Sequence, residues 1–218
     1  MKSGNASGVT LVFWGGIGHA KVLRAIAKSK GDMVGALFDR NPAVRSPFPN
    51  VPCFHLWDDL VAWVKNHRQN PLGFALALGS ISGHERIQLH ERLIELGLEP
   101  RTLVHEWAWV AETATIGLGC QVLAMAAVGE EAVLGKQCIV NTNASIDHEC
   151  VLGDGIHIMP GATLAGLVRV GDFVMIGSNA TILPRLKIGV GAVVGAGAVV
   201  LNDVPPGVTV VGNPARQL

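Results

Sequence analysis

Counting from Val110 in steps of six gives Val110, Ile116, Val122, Val128, Leu134, Val140, Ile146, Leu152, Ile158, Leu164, Val170, Ile176, Ile182, Ile188, Val194 and Val200. All sixteen are Val, Ile or Leu, and the register never slips. Glycine follows directly at eight of them, from Gly117 to Gly195. Four residues after each aliphatic the side chain is usually small, as at Ala126, Cys138 or Ala180. A short fixed period marks a solenoid. Neither a helical period of 3.6 nor an alternation of two generates it.

A period of six fits a triangular coil. Each side is a short strand and each corner a turn. The aliphatic points inward and stacks on its equivalent eighteen residues away, and the small residue fits near the corner. Glycine and Asn-type residues are expected to supply the corner dihedrals. Sixteen sixes make a little over five coils, so a prism roughly 25 Å long follows from the ~4.8 Å strand spacing.

The other bounds are simpler. The chain has 218 residues, 17 basic and 17 acidic, so electrostatics favours no nucleic-acid partner. Charged residues are 16% and hydrophobic ones 49%, which points to buried subunit interfaces. No run approaches the roughly 18 apolar residues of a membrane span. The start, Met1–Asn5, is short and polar, without the pattern of a signal peptide. Of Cys53, Cys120, Cys138 and Cys150, three occupy small inward repeat positions, and none forms a C-x-x-C pair. They read as reduced, packed thiols of a cytoplasmic protein rather than disulfides or zinc ligands.

The repeats resemble those of the hexapeptide-repeat acyltransferases, whose chains wind a left-handed parallel β-helix. Val211-Gly212-Asn213-Pro214-Ala215 resembles that family's closing segment beside coenzyme A. The resemblance spans nearly half the chain without a gap. It implies a homotrimer of prisms packed side by side, with sites built from neighbouring chains.

Ahead of the repeats the pattern is βαβ. Val9 to Trp14 reads as a buried strand, Ala20 to Lys30 as a helix with Val22, Leu23, Ile26 and Ala27 inward, and Met33 to Phe38 as a second strand. Trp57 to His67 suits a helix, Phe74 to Leu78 a strand ending in Gly79-Ser80, His84 to Leu96 a helix, and Arg101 to Val104 a last strand. The expected fold class is a small Rossmann-like α/β domain, residues 1–105, followed by a β-helix, left-handed as the resemblance implies, residues 106–218, capped beyond Pro205-Pro206.

Gly15-Gly16-Ile17-Gly18-His19 joins the first strand to the first helix. It reads either as a tight turn or as a backbone cradle for phosphate at a helix N-terminus. The dinucleotide fingerprint fails, because Lys21 stands at its third glycine position. Gly15 to Lys21 resembles the G-x-x-G-H start of sugar acyltransferases of the sialic-acid O-acetyltransferase and bacillosamine-pathway type, with Ile17 where a small residue is usual. The resemblance implies a nucleotide-sugar site in which Gly18 and His19 meet the diphosphate or sugar and Asp39 and Arg40 hold the nucleoside.

Asn141 to Cys150 is the most polar stretch of the repeats. Asp147 replaces a glycine there, and acids flank His148 on both sides; such neighbours orient an imidazole and raise its basicity. The stretch resembles the family's N-x-x-x-x-I-x-H-[DE]-C segment, which implies that His148 is a general base tuned by Glu149. The same resemblance places His157, Gly166, Ser178 and Ala196 along acetyl-coenzyme A. Arg185 and Lys187 read either as phosphate partners or as solvated charges. His55, His67, His84 and His90 read as surface residues, and His105 has no evident partner.

The implied activity is acetyl transfer from acetyl-coenzyme A to the amine of a nucleotide-linked 4-amino-4,6-dideoxy sugar, without a metal, in surface-glycan synthesis. O-acetylation of a sugar such as sialic acid and a non-catalytic nucleotide-sugar scaffold are the alternatives. A zinc hydratase on the same prism needs three histidines, and the repeats hold only His148 and His157.

Overall fold

The computed structural model describes residues 8–79 and 82–218. Met1–Asn5 and Ser80 lie outside the described residues. The chain divides into two compact units, one of residues 8–78 with 90–101 and one of 79–89 with 102–218.

The first unit is a parallel sheet flanked by helices. Its elements are β1 (Thr10–Trp14), α1 (Gly18–Ser29), β2 (Met33–Phe38), β3 (Cys53–Phe54), α2 (Trp57–Asn66), β4 (Leu72–Leu76), the second half of α3 (Gly83–Glu95) and β5 (Glu99–Pro100). The strand order is β3-β2-β1-β4-β5, all parallel. Leu11, Val12 and Phe13 are completely buried, as a central parallel strand covered on both faces requires. Helix α1 buries Ala20, Leu23, Ile26 and Ala27. Val22, expected inward, is 44% exposed because it falls one residue off that face. Asp32 fixes the edge between α1 and β2. Both its oxygens take a bidentate grip from Arg101, at 2.7 and 3.0 Å, and Oδ1 also accepts the Val9 N–H.

The strand expected over Arg101–Val104 is divided. Glu99–Pro100 pairs with β4 as β5, whereas Leu103–Val104 pairs with Gln121–Val122 as β6. The six-step series therefore begins at Val104, one step before Val110.

The second unit is a parallel β-helix. Among the described residues its two-residue strands form sheets of six, five and eight members. From Leu103 to Ile182 each strand pairs with the one eighteen residues on, as in Val110↔Val128↔Ile146↔Leu164, and in the tail the step falls to sixteen, as in Val194↔Val210. The aliphatics from Val122 to Val200 are all buried, and Val110 and Ile116 are partly buried on the same core. Cys120 and Cys138, which stack eighteen residues apart, and Cys150 in another column are free thiols whose Sγ atoms donate to the carbonyls of Gly135, Gly153 and Ala165. Burial pushes the Cys150 thiol up.

The corner dihedrals meet expectation in part: seven of the fourteen left-handed repeat positions from 119 to 197 are glycine or asparagine. The glycines that follow the aliphatics do not carry the left-handed conformation. It falls two residues later, at Gly119, Met125, Glu131, Gln137, Asn143, Glu149 and every sixth residue to Gly197. The repeat glycines are needed for close approach instead: a Cβ on Gly177 would lie 2.5 Å from the Ala196 nitrogen of the next coil. At the far end the tail does more than cap. Val204 bridges Ile188, and Val210 pairs with Val194 in the same register before Arg216–Gln217 turns back antiparallel. Among the described residues no helix is long and apolar enough to cross a membrane.

Two substitutions separate these roles of the corner. Gly177→Ala should cost about 2 kcal/mol by overpacking. Glu131→Gly, at φ 57°, should hold or raise stability by up to about 1 kcal/mol. Urea midpoints measure both.

Candidate active site

His148 lies in the turn between the strands Ser145–Ile146 and Val151–Leu152. The main chain around it is fully engaged. Its N–H donates to Asp147 Oδ1 at 2.7 Å, its carbonyl accepts from the Leu167 N–H at 3.0 Å, and the Glu149 N–H donates to the Glu130 carbonyl at 2.8 Å. Glu149 takes the left-handed corner position, φ 57°. From there its Oε2 lies 3.0 Å from His148 Nδ1. The two side chains are 51% and 48% exposed, so the pair contributes at most about 1 kcal/mol to stability. Its consequence is orientation. With Nδ1–H directed at the carboxylate, the neutral ring presents Nε2 as the acceptor.

That Nε2 faces Gly166 on the next coil, where a Cβ would sit 2.5 Å from it. A cavity of about 230 Å³ opens there, lined by Asp147, His148, Ala165, Gly166, Leu167, Pro184 and Arg185. Glycine at 166 makes the space the imidazole occupies. The corner thus offers an oriented nitrogen base beside a small cavity with a cation on its rim.

His157 is a different kind of residue. It is 4% exposed and begins the strand His157–Ile158, on another side of the coil from His148. Asn141 Oδ1 accepts the Thr142 N–H, which turns Asn141 Nδ2 toward His157 Nε2 at 3.1 Å. Nε2 is thereby the acceptor and the ring proton belongs on Nδ1. Gly79 lies against the same ring; a Cβ there would be 3.7 Å from Cε1.

In the first unit the glycine loop is built for close approach. Gly15, at φ +102°, donates to the Phe38 carbonyl at 2.7 Å. The Gly16 N–H donates to Asp39 Oδ2 at 2.9 Å, while Asp39 Oδ1 accepts from the Asn41 N–H. Asp39, expected to hold the nucleoside, thus ties the loop to the end of β2. Among the described residues no side chain caps the N-terminus of α1, and a Cβ on Gly18 would meet none of them within 4 Å; the first-turn N–H groups of a helix favour an anion. His19 is half-buried and Arg40 exposed, with its guanidinium 5.8 Å from the Trp14 ring centroid.

No protein-family model matches this chain, and no curated protein does. Solved structures do. The acetyltransferase domain of PglB from Neisseria gonorrhoeae, in complex with acetyl coenzyme A, is 32% identical with a TM-score of 0.84, over 97% of this chain and 100% of that one. PerB from Caulobacter crescentus, in complex with CoA and GDP-perosamine, is 31% identical with a TM-score of 0.85, over 96% and 97%. WeeI from Acinetobacter baumannii is 25% identical with a TM-score of 0.85, over 96% and 100%. The chain belongs to the hexapeptide-repeat sugar acetyltransferases.

Within one chain of this acetyltransferase the expected coenzyme residues do not share a column. Ser178 and Ala196 stack at one corner, where the Gly197 N–H donates to the Ser178 carbonyl. Gly166 sits twelve residues before Ser178 and belongs to the corner of His148. Three histidines expected at the surface are held. His90 is 1% exposed and edge-on to Phe74. His67 stacks on Trp63, and His55 Nδ1 bonds the Asp39 carbonyl. His105 Nδ1 accepts the Trp107 N–H. Sequence reasoning also missed Asn141 as the partner of His157, although its place in the polar stretch was a signal. Among the described residues of the acetyltransferase, no three His, Cys, Asp or Glu side chains converge on a metal position.

Gly166→Ala should displace the His148 ring and break its contact with Glu149 while leaving the coil intact. The thermal midpoint should stay within about 3 °C, a shift of under ~1 kcal/mol, while the His148 ring resonances move.

Proposed function

We propose that this acetyltransferase moves the acetyl group of acetyl-coenzyme A to the amine of a nucleotide-linked 4-amino-4,6-dideoxy sugar, with His148 as general base. The observation that carries the reading is the His148–Glu149 contact of 3.0 Å beside a cavity cleared by Gly166. Its context is a solved relative, PerB, in complex with CoA and GDP-perosamine.

The chemistry follows from the geometry. A sugar ammonium is not a nucleophile, so the amine must be neutral when it meets the thioester. Its nitrogen attacks the acetyl carbonyl and gives one proton to His148 Nε2. Glu149 stabilises the imidazolium so formed and holds the ring in place. The C–S bond then breaks, thiolate leaves as coenzyme A and takes up a proton, and an amide remains. A base in this position contributes typically 10²–10⁴-fold.

The other assignments extend the same reading. The nucleotide sugar is held by residues 1–105, with Gly18 and His19 at the diphosphate or sugar and Asp39 and Arg40 at the nucleoside side. Asp39 acts there chiefly by shaping the loop through Gly16. Residues 106–218 form a left-handed coil that carries the chemistry. His157, Gly166, Ser178 and Ala196 line acetyl-coenzyme A in a groove shared between copies of a homotrimer, which brings together corners that one chain keeps apart. The setting is cytoplasmic synthesis of a surface glycan.

The test is thiol release from acetyl-coenzyme A against UDP-, GDP- and dTDP-linked 4-amino sugars. One of them should support turnover. His148→Ala should lower kcat by about 10²-fold or more, and Glu149→Gln by about tenfold. Release with hydroxyl sugars alone would replace the amine with an O-acetyl acceptor, and unchanged turnover in His148→Ala would refute the base.

A further inference from the structure

Arg86 is the largest fully buried side chain of the described residues, at 0% exposure on α3. Its sequence neighbourhood, His84-Glu85-Arg86, reads as a solvated helix face. In the structure, within the second unit, its guanidinium donates to main-chain carbonyls of two successive coils. Nε reaches the Gln137 carbonyl at 3.1 Å, and Nη2 reaches those of Gly155 at 2.7 Å and Ile156 at 3.2 Å. Burial lowers its pKa to about 10, so it stays protonated at neutral pH, and charged donors make the stronger hydrogen bonds.

The approach of the helix is as close as backbone permits. A Cβ on Gly83 would fall 2.2 Å from the Gly155 carbonyl oxygen, and one on Gly155 2.7 Å from the Gly83 oxygen. One turn later comes Arg86. His84 adds a tilted ring contact with Phe173 at 5.1 Å. Residues 83–86 are thus seated on the corners at 137 and 155, which stack eighteen residues apart.

Those two corners feed particular strands. From Gln137 the chain runs through Ile139–Val140 to Asn141. From Gly155 and Ile156 it runs directly into His157. The Asn141–His157 contact of 3.1 Å therefore depends on the relative placement of the two corners that Arg86 joins. We infer that Arg86 is a positioning residue for the acetyl-donor site: by bridging the carbonyls of Gln137, Gly155 and Ile156 it sets His157 against Asn141, and so sets how the pantetheine arm of acetyl-coenzyme A is received. This rests on the reading of His157 as a coenzyme contact. A guanidinium suits the task because its planar fork reaches several acceptors from one fixed point, which an ammonium on a flexible stem does not.

The experiment is a double-mutant cycle on the full chain with Arg86→Lys, Arg86→Met, His157→Ala and the combinations. Steady-state kinetics are run at varied acetyl-coenzyme A and at varied nucleotide amino sugar, and folding is checked by circular dichroism. Arg86→Lys should raise KM for acetyl-coenzyme A about tenfold, equivalent to ~1.4 kcal/mol, leave KM for the sugar within about twofold, and change kcat little. Arg86→Met should act in the same direction and more strongly. Neither should add to the effect of His157→Ala, because coupled residues are not additive. Effects that multiply fully in the His157→Ala background, equal changes in both KM values, or wild-type kinetics in Arg86→Met would overturn the inference while leaving His157 in its role. If His157→Ala binds acetyl-coenzyme A as the wild type does, the coenzyme reading of His157 fails, and the inference with it. If neither Arg86 variant folds, the guanidinium is a determinant of the fold and not a positioning group, and the inference is likewise overturned.

Discussion

Each inward aliphatic of the β-helix lies under its counterpart eighteen residues away, and the site is a consequence of that stacking. Because the strands are only two residues long, one coil holds the next through few hydrogen bonds per side. The ladder stays in register because Val, Ile and Leu at every sixth position leave the core no other way to close. Corners then fall above corners. That places Gly166 directly over His148 and the Gly155 carbonyl over that of Gln137. A side chain at one corner is consequently shaped by what the next coil puts there.

The six-residue pattern announced this architecture, since hydrophobic periodicity reports which way side chains face. It is silent on dihedrals. The glycines after the aliphatics suggested flexible corners, yet they serve close approach, and the left-handed residues two places on include Met125, Leu167, Phe173 and Arg185. Nothing in those side chains advertises the conformation; the coil imposes it. The βαβ pattern was visible too, but the strand expected at Arg101–Val104 divided, because two residues are enough to pair in a coil and the periodicity continued one step upstream of where it was counted.

The histidine at the corner stood out in sequence because charge is rare in a repeat of Gly, Ala and Val, so Asp147-His148-Glu149 had no packing explanation. Arg86 and His90 did not stand out. Both sit at helical positions where a polar residue reads as solvent-facing. Arg86 reaches main-chain carbonyls 51 and 69 residues away, and a main-chain carbonyl carries no side-chain signal in the sequence. Asp39 shows the same limit in reverse: an acid at the end of β2 suggested a ligand contact, and its carboxylate is occupied with the N–H groups of Gly16 and Asn41.

On the proposed function, what the corner supplies is a base whose position costs no reorganisation when the substrate arrives. The main chain on both sides of His148 is tied to the coils above and below, and the ring is held by Glu149 at one nitrogen. The measurement that tests this most directly is a crystal structure of the enzyme with coenzyme A and a nucleotide-linked 4-amino sugar. The sugar amine is expected within hydrogen-bond reach, roughly 3 Å, of His148 Nε2, in the cavity against Gly166. An amine held out of reach of that nitrogen, with no water bridging the two, would contradict His148 as the base.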